Sequence, residues 1–131
     1  MCYAALFLII LVDPTHAGKT EYHCTVKQVL KLSDEGKVEV DKNASRVYIG
    51  KDFRIDRETG VISSGVRFSS FSEMRVLFPG SSKHSFVGLA ADEDGPFPIA
   101  SLIEIHEFVS GPVKPFLWHI RGAELYSGTC L

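Results

Sequence analysis

Few residue groups in this 131-residue chain have the types and spacing to do chemistry. In "EIH", Glu104 and His106 stand two apart, so on a strand they share a face and could act as an acid–base pair. Such a pair needs a nucleophile or a substrate cleft beside it, and the chain has no G-x-S-x-G and no H-E-x-x-H. His23 and His119 lie near opposite ends of the chain and could share a zinc ion if those ends pair; otherwise they are surface histidines. In "DRETG", Asp56 and Glu58 offer oxygens of the kind a calcium ion takes. Every residue there also has a reason to sit in a turn. Asp56 can accept bonds from backbone amides, Arg57 and Glu58 suit the exposed centre, and Gly60 supplies the positive φ that closes a hairpin. The stretch is read as a hairpin tip. "DEDG", 92–95, lacks further ligands and is followed by Pro96 and Pro98, so it is read as a solvated loop. No metal and no cofactor is expected.

The cysteines carry the strongest covalent signal. "YAALFLIILV", 3–12, is too short an apolar run to span a bilayer, which takes roughly 20 residues, but suits a secretory leader. Pro14 follows it, and Thr15-His16-Ala17 places small residues before a cut, although no Lys or Arg precedes the run. Residues 1–17 are therefore expected to be a signal peptide and 18–131 one domain, periplasmic or secreted, with no membrane span. Cys2 leaves with the leader. Cys24 and Cys130 remain, and an even pair in an oxidising compartment is most simply a disulfide. A metal pair is the alternative, without C-x-x-C or His-x-x-x-His spacing to support it. A bond between them would bring the first and last strands side by side or face to face.

The elements that must position these groups read as strands. Period-two alternation dominates. "EYHCTVKQVLKL" puts Tyr22, Cys24 and Val26 on one face, and a bulge near Gln28-Val29 would restore it. "SDEG" is a turn. "KVEV" reads as a short strand with Val38 and Val40 inward, "DKNAS" as a loop, and "RVYIGKDFRID" as extended with a bend at Gly50. "VISSGVRFSS" continues as strand, and "SEMRVLF" is a strand ended by Pro79-Gly80. "IASLIEIHEFV" is β-branched enough to favour strand over helix. "SGPVKP" could protrude to contact a partner but is read as leading into the core, seating Phe116 and Trp118, and "FLWHIRGAELYSGTC" is a closing hairpin turning at Arg121-Gly122. The fold class is all-β: a small antiparallel barrel or sandwich of about eight strands, its termini tied by the disulfide. The charge, 14 basic against 16 acidic residues, gives no nucleic-acid footprint.

Three resemblances follow. Phe53, Ile55-Asp56, Thr59-Gly60 and Ile62 are similar to a hairpin of the cadherin repeat, whose calcium ligands lie elsewhere. Tyr22-x-Cys24, the 53–62 hairpin, Ile105-x-Glu107-Phe108, Lys114-Pro115-Phe116 and Gly128-Thr129-Cys130 together resemble a group of short uncharacterised exported proteins of Gram-negative bacteria. That resemblance implies an exported β domain with a terminal disulfide and no known activity. Ser64-Gly65-Val66-Arg67-Phe68 is also similar to the Ser-Gly-x-x-Tyr loop of the periplasmic c-type lysozyme inhibitors, with Phe68 in place of the tyrosine. There, Ser64 would enter the enzyme cleft. The leading expectation is a non-enzymatic binding or accessory module for an unidentified protein or envelope component. Ser64, Gly65, Arg67 and Phe68 would be its partner-binding loop. The alternatives are a lysozyme inhibitor using that loop and, third, a small hydrolase using Glu104 and His106.

Overall fold

The computed structural model describes residues 20–69, 71–92, 96 and 99–131. The leader expected over 1–17 and most of "DEDG" lie outside them. The described residues form nine strands and one helix: β1 Glu21–Leu32, β2 Val38–Val40, α1 Lys42–Tyr48, β3 Asp52–Asp56, β4 Ile62–Ser64, β5 Arg75–Ser81, β6 His84–Asp92, β7 Ile99–Ile105, β8 Lys114–Arg121 and β9 Glu124–Cys130. All pairings are antiparallel, in the order β4-β3-β1-β9-β8-β7-β6-β5, with β2 added to the second half of β1. The sheet curls until its ends touch. Ile62 N–H donates to the Ser72 carbonyl at 2.8 Å, Met74 N–H donates to the Gly60 carbonyl at 2.9 Å, and Val61 bridges Glu73. The result is a partly closed barrel.

Alternation fills the interior. One face of each long strand supplies the core: Tyr22, Cys24, Val26 and Val29 from β1, Phe53 and Ile55 from β3, Ile103 and Ile105 from β7, Phe116, Trp118 and Ile120 from β8, and Tyr126 from β9. In β1 the register slips between Val26 and Gln28, so the extra residue Lys27 returns Val29 to the inside. Buried Ser101 is satisfied: it accepts from Trp118 Nε1 at 2.9 Å and donates to the His119 carbonyl at 3.0 Å.

The first and last strands lie side by side, as the expected disulfide demands. Cys24 and Cys130 are direct cross-strand partners of β1 and β9, bonded as a disulfide that spans 106 residues of sequence. His23 and Leu131 beside them exchange backbone bonds of 3.1 and 2.9 Å, which places the cystine at the neighbouring, closer-approaching position of the ladder. The disulfide is consistent with an oxidising, extracytoplasmic environment. No helix among the described residues is long and apolar enough to cross a membrane.

Four expectations are corrected. "DKNAS" and the start of "RVYIGKD" are not loop and extended chain but α1. Asp41 caps it by accepting from Asn43 N–H and Ala44 N–H, both at 2.9 Å, and Gly50 ends it at φ +79°. Val38 and Val40 do not point inward but are 58% and 50% exposed, because β2 is a three-residue edge strand paired only with Leu30, Lys31 and Leu32 of β1. Strand β5 does not stop at Pro79-Gly80. It runs to Ser81, since a proline is tolerated in a strand paired along only one side. Strand β4 ends at Ser64, and the chain after it leaves the sheet.

Candidate functional site

The segment leaving β4 crosses one end of the barrel, and local chemistry fixes its path. Ser64 Oγ donates to the Asp52 carbonyl at 2.8 Å and accepts from Val66 N–H at 3.2 Å. Ser69 Oγ accepts from Phe71 N–H at 3.1 Å. The Tyr48 hydroxyl of α1 donates to the Arg67 carbonyl at 3.4 Å. Phe68 then drops into the core, only 6% exposed, with its ring 5.4 to 6.0 Å from those of Tyr48, Phe53, Trp118 and Tyr126. Ser64, Gly65 and Arg67 are exposed. Of the four residues expected to face a partner, three stand at the surface, and Phe68 is the anchor beneath them.

Two hollows flank this loop. A cavity of about 270 Å³ lies on the β8–β9 side, lined by Tyr48, Phe68, Phe71, Ile120, Arg121 and Glu124 among others. A more open one lies against Ile62, Ser64 and Trp118. Sequence reasoning did not find Tyr48 or Arg121 as parts of this end. Tyr48 was hidden by the missed helix, for which Asp41 ahead of "KNAS" was the available signal.

"DRETG" is a hairpin tip with an unexpected tenant. Asp56 Oδ1 accepts from Glu58 N–H, Thr59 N–H and Thr59 Oγ1 at 2.9, 2.7 and 2.9 Å, and Gly60 has φ +73°. These bonds, from Thr59 first, hold the Asp56 carboxyl below its usual range. Arg57 is not an exposed turn centre. Its side chain is 20% exposed, lies 3.4 Å from Glu107, and covers the Tyr22 ring at 5.0 Å. It also donates to the carbonyls of Pro79 and Gly80 at 3.1 and 3.4 Å. Tyr22, Arg57 and Glu107 thus close the barrel end opposite the 64–71 loop. Burial, with Glu107 beside it, pushes the Tyr22 phenol well above its ordinary value.

Glu104 and His106 share the outer face of the sheet, with His106 Nε2 3.5 Å from Glu104 Oε1. Ser85 Oγ donates to that same oxygen at 2.8 Å. The carboxylate therefore stands between serine and histidine, whereas a hydrolytic triad places histidine between serine and acid. Both side chains are more than a third exposed, and His106 stacks on Phe108 at 5.2 Å. His23 and His119 do not meet. His119 pairs with Leu125 and contacts the Gly122 carbonyl at 2.8 Å, while His23 sits at the other end of β9 beside Leu131 and lies 3.8 Å from Asp52. Among the described residues no three His, Cys, Asp or Glu side chains converge as a metal site. Lys114 donates to the carbonyls of Glu107 and Val109, which seats the entry to β8. No protein-family model, curated protein or solved structure matches this chain.

Proposed function

We propose that the chain is a periplasmic or secreted, non-enzymatic binding or accessory module that engages a protein or envelope component through the loop at 64–67. One observation carries this reading. The loop is pinned on both sides, by the Ser64 bonds and by buried Phe68, yet presents Ser64, Gly65 and Arg67 to solvent. A loop already held in one shape loses little conformational entropy on binding. The test is affinity capture from periplasmic extract with the purified, disulfide-bonded protein. A specific partner should be lost with Gly65→Arg or Arg67→Glu and kept with Lys83→Glu on the distant β5–β6 turn. Equal capture by all three would sink the proposal.

A narrower version is supported by the exposed Ser64-Gly65 tip and its likeness to the lysozyme-inhibitor loop. On that version the protein inhibits a c-type lysozyme and Ser64→Ala abolishes inhibition. An inhibition assay that shows no effect of the parent protein would remove this version and leave the broader one standing.

A further inference from the structure

We propose that the cavity between the 65–71 loop and the β8–β9 turn is a second binding site, for a small aromatic carboxylate. Most of the surface it presents is polar, and three aromatic rings, Tyr48, Phe68 and Phe71, stand among its lining residues. Arg67 and Arg121 line its rim, and both are exposed. Among the described residues neither guanidinium has a hydrogen-bonding or ionic partner, whereas Glu124, opposite Arg121 in the hairpin register, already receives the Tyr126 hydroxyl at 3.4 Å. Two arginines against one carboxylate leave the rim net positive by one, which favours an anionic occupant. A guanidinium fork matches a carboxylate in particular, and the partly exposed rings of Tyr48 and Phe71 give a planar body a surface to rest on. The volume, about 270 Å³, falls just below the range of drug-sized pockets and limits the occupant to a small molecule.

This goes beyond partner binding by the loop. It shares Arg67 with that surface but depends on Arg121, which lies on the β8–β9 hairpin. The probe is 3-phenylpropionate, titrated by calorimetry or amide NMR into the disulfide-bonded protein, with 3-phenylpropanamide as its neutral counterpart. The carboxylate should bind saturably. The amide, and the carboxylate on Arg121→Gln, should each bind about 10-fold more weakly, the size expected for losing one charged hydrogen bond. Lys83→Gln, at the other end of the barrel, should bind like the parent. No saturable binding up to about 20 mM would overturn the inference. So would equal affinity for acid and amide, or an Arg121→Gln variant that binds as the parent does. Partner capture that survives Arg121→Gln keeps the two readings separate, because that change leaves Ser64 and Gly65 untouched.

Discussion

The Arg57 guanidinium lies 3.4 Å from the Glu107 carboxylate and joins the β3–β4 turn to the segment after β7. With side chains only 20% and 14% exposed, the pair belongs between surface and core ion pairs. Losing one partner of a fully buried pair costs roughly 3–5 kcal/mol, and an exposed one under about 1. Arg57→Met should therefore lower unfolding stability by about 2 kcal/mol, because Glu107 and the Pro79 and Gly80 carbonyls all lose a donor. Glu107→Gln should cost less. Denaturant titration of both single variants and the double variant measures this, and strictly additive losses would mean that the two side chains are not coupled.

Gly60 and Gly36 have nearly the same backbone, φ +73° and +78°, in different surroundings. A Cβ on Gly36 would meet open space, whereas one on Gly60 would lie 1.9 Å from the Met74 carbonyl oxygen at the barrel seam. Gly36→Ala should cost about 1 kcal/mol for conformation alone. Gly60→Ala should cost about 3 kcal/mol or more, since the Met74–Gly60 bond cannot survive in place. Unfolding midpoints of the two variants give the comparison.

Reduction should weaken the fold strongly. The cystine closes 106 residues of chain, and the loop-entropy argument assigns such a closure about 4–5 kcal/mol. Guanidinium unfolding with and without dithiothreitol should differ by that order. The reduced chain should also run more slowly than the oxidised chain on a gel, and free thiols at Cys24 and Cys130 in the purified protein would refute the bond.

The parts legible in the sequence were those governed by alternation and covalency. Tyr22, Cys24 and Val26, then a slip, then Val29, could be read directly because a buried strand face repeats every two residues. α1 escaped because it is seven residues long and buries none of them, so it has no apolar stripe, only the Asp41 cap. Val38 and Val40 misled because alternation cannot tell a strand of the barrel wall from a short exposed strand at its edge. Arg57 was misplaced because turn chemistry fixes the backbone of "DRETG" and leaves the reach of a long side chain open. The pairing of Phe68 with Tyr48, Trp118 and Tyr126 depends on closure of the sheet, which no local pattern encodes.

Stability should fall at both extremes of pH, for different residues. The depressed Asp56 carboxyl contributes stability that is present above the ordinary carboxylate range and lost as pH falls through its lowered folded value. Tyr22 and Tyr126 are raised by burial, so the folded chain keeps phenolic protons that the unfolded chain releases above about pH 10. Their contribution is full below that point and declines as pH rises. Asp56→Ala should flatten the acid limb of a urea-midpoint profile, and Tyr22→Phe should soften the alkaline limb. The buried Tyr22 hydroxyl has no hydrogen-bond partner among the described residues, so Tyr22→Phe should also leave neutral-pH stability unchanged or raise it by up to about 1 kcal/mol.

Phe68 should prove to be the residue that keeps the loop still. Its ring is buried against four others, so Phe68→Ala should cost about 3–4 kcal/mol globally. Ser64→Ala removes only hydrogen bonds made at the surface and should cost about 1 kcal/mol. Trypsin separates a local effect from a global one. Cleavage after Arg67 needs the loop to detach, whereas cleavage after Lys27, inside β1, needs the barrel to open. In Phe68→Ala, cutting after both Arg67 and Lys27 should accelerate strongly, because the contacts of the ring are lost when the loop detaches and again when the barrel opens. In Ser64→Ala, cutting at both sites should accelerate only slightly. A Phe68→Ala protein in which cutting after Lys27 accelerates and cutting after Arg67 does not would mean that the loop detaches without unseating the ring, which would remove the main support for a preformed binding surface at Ser64 to Arg67.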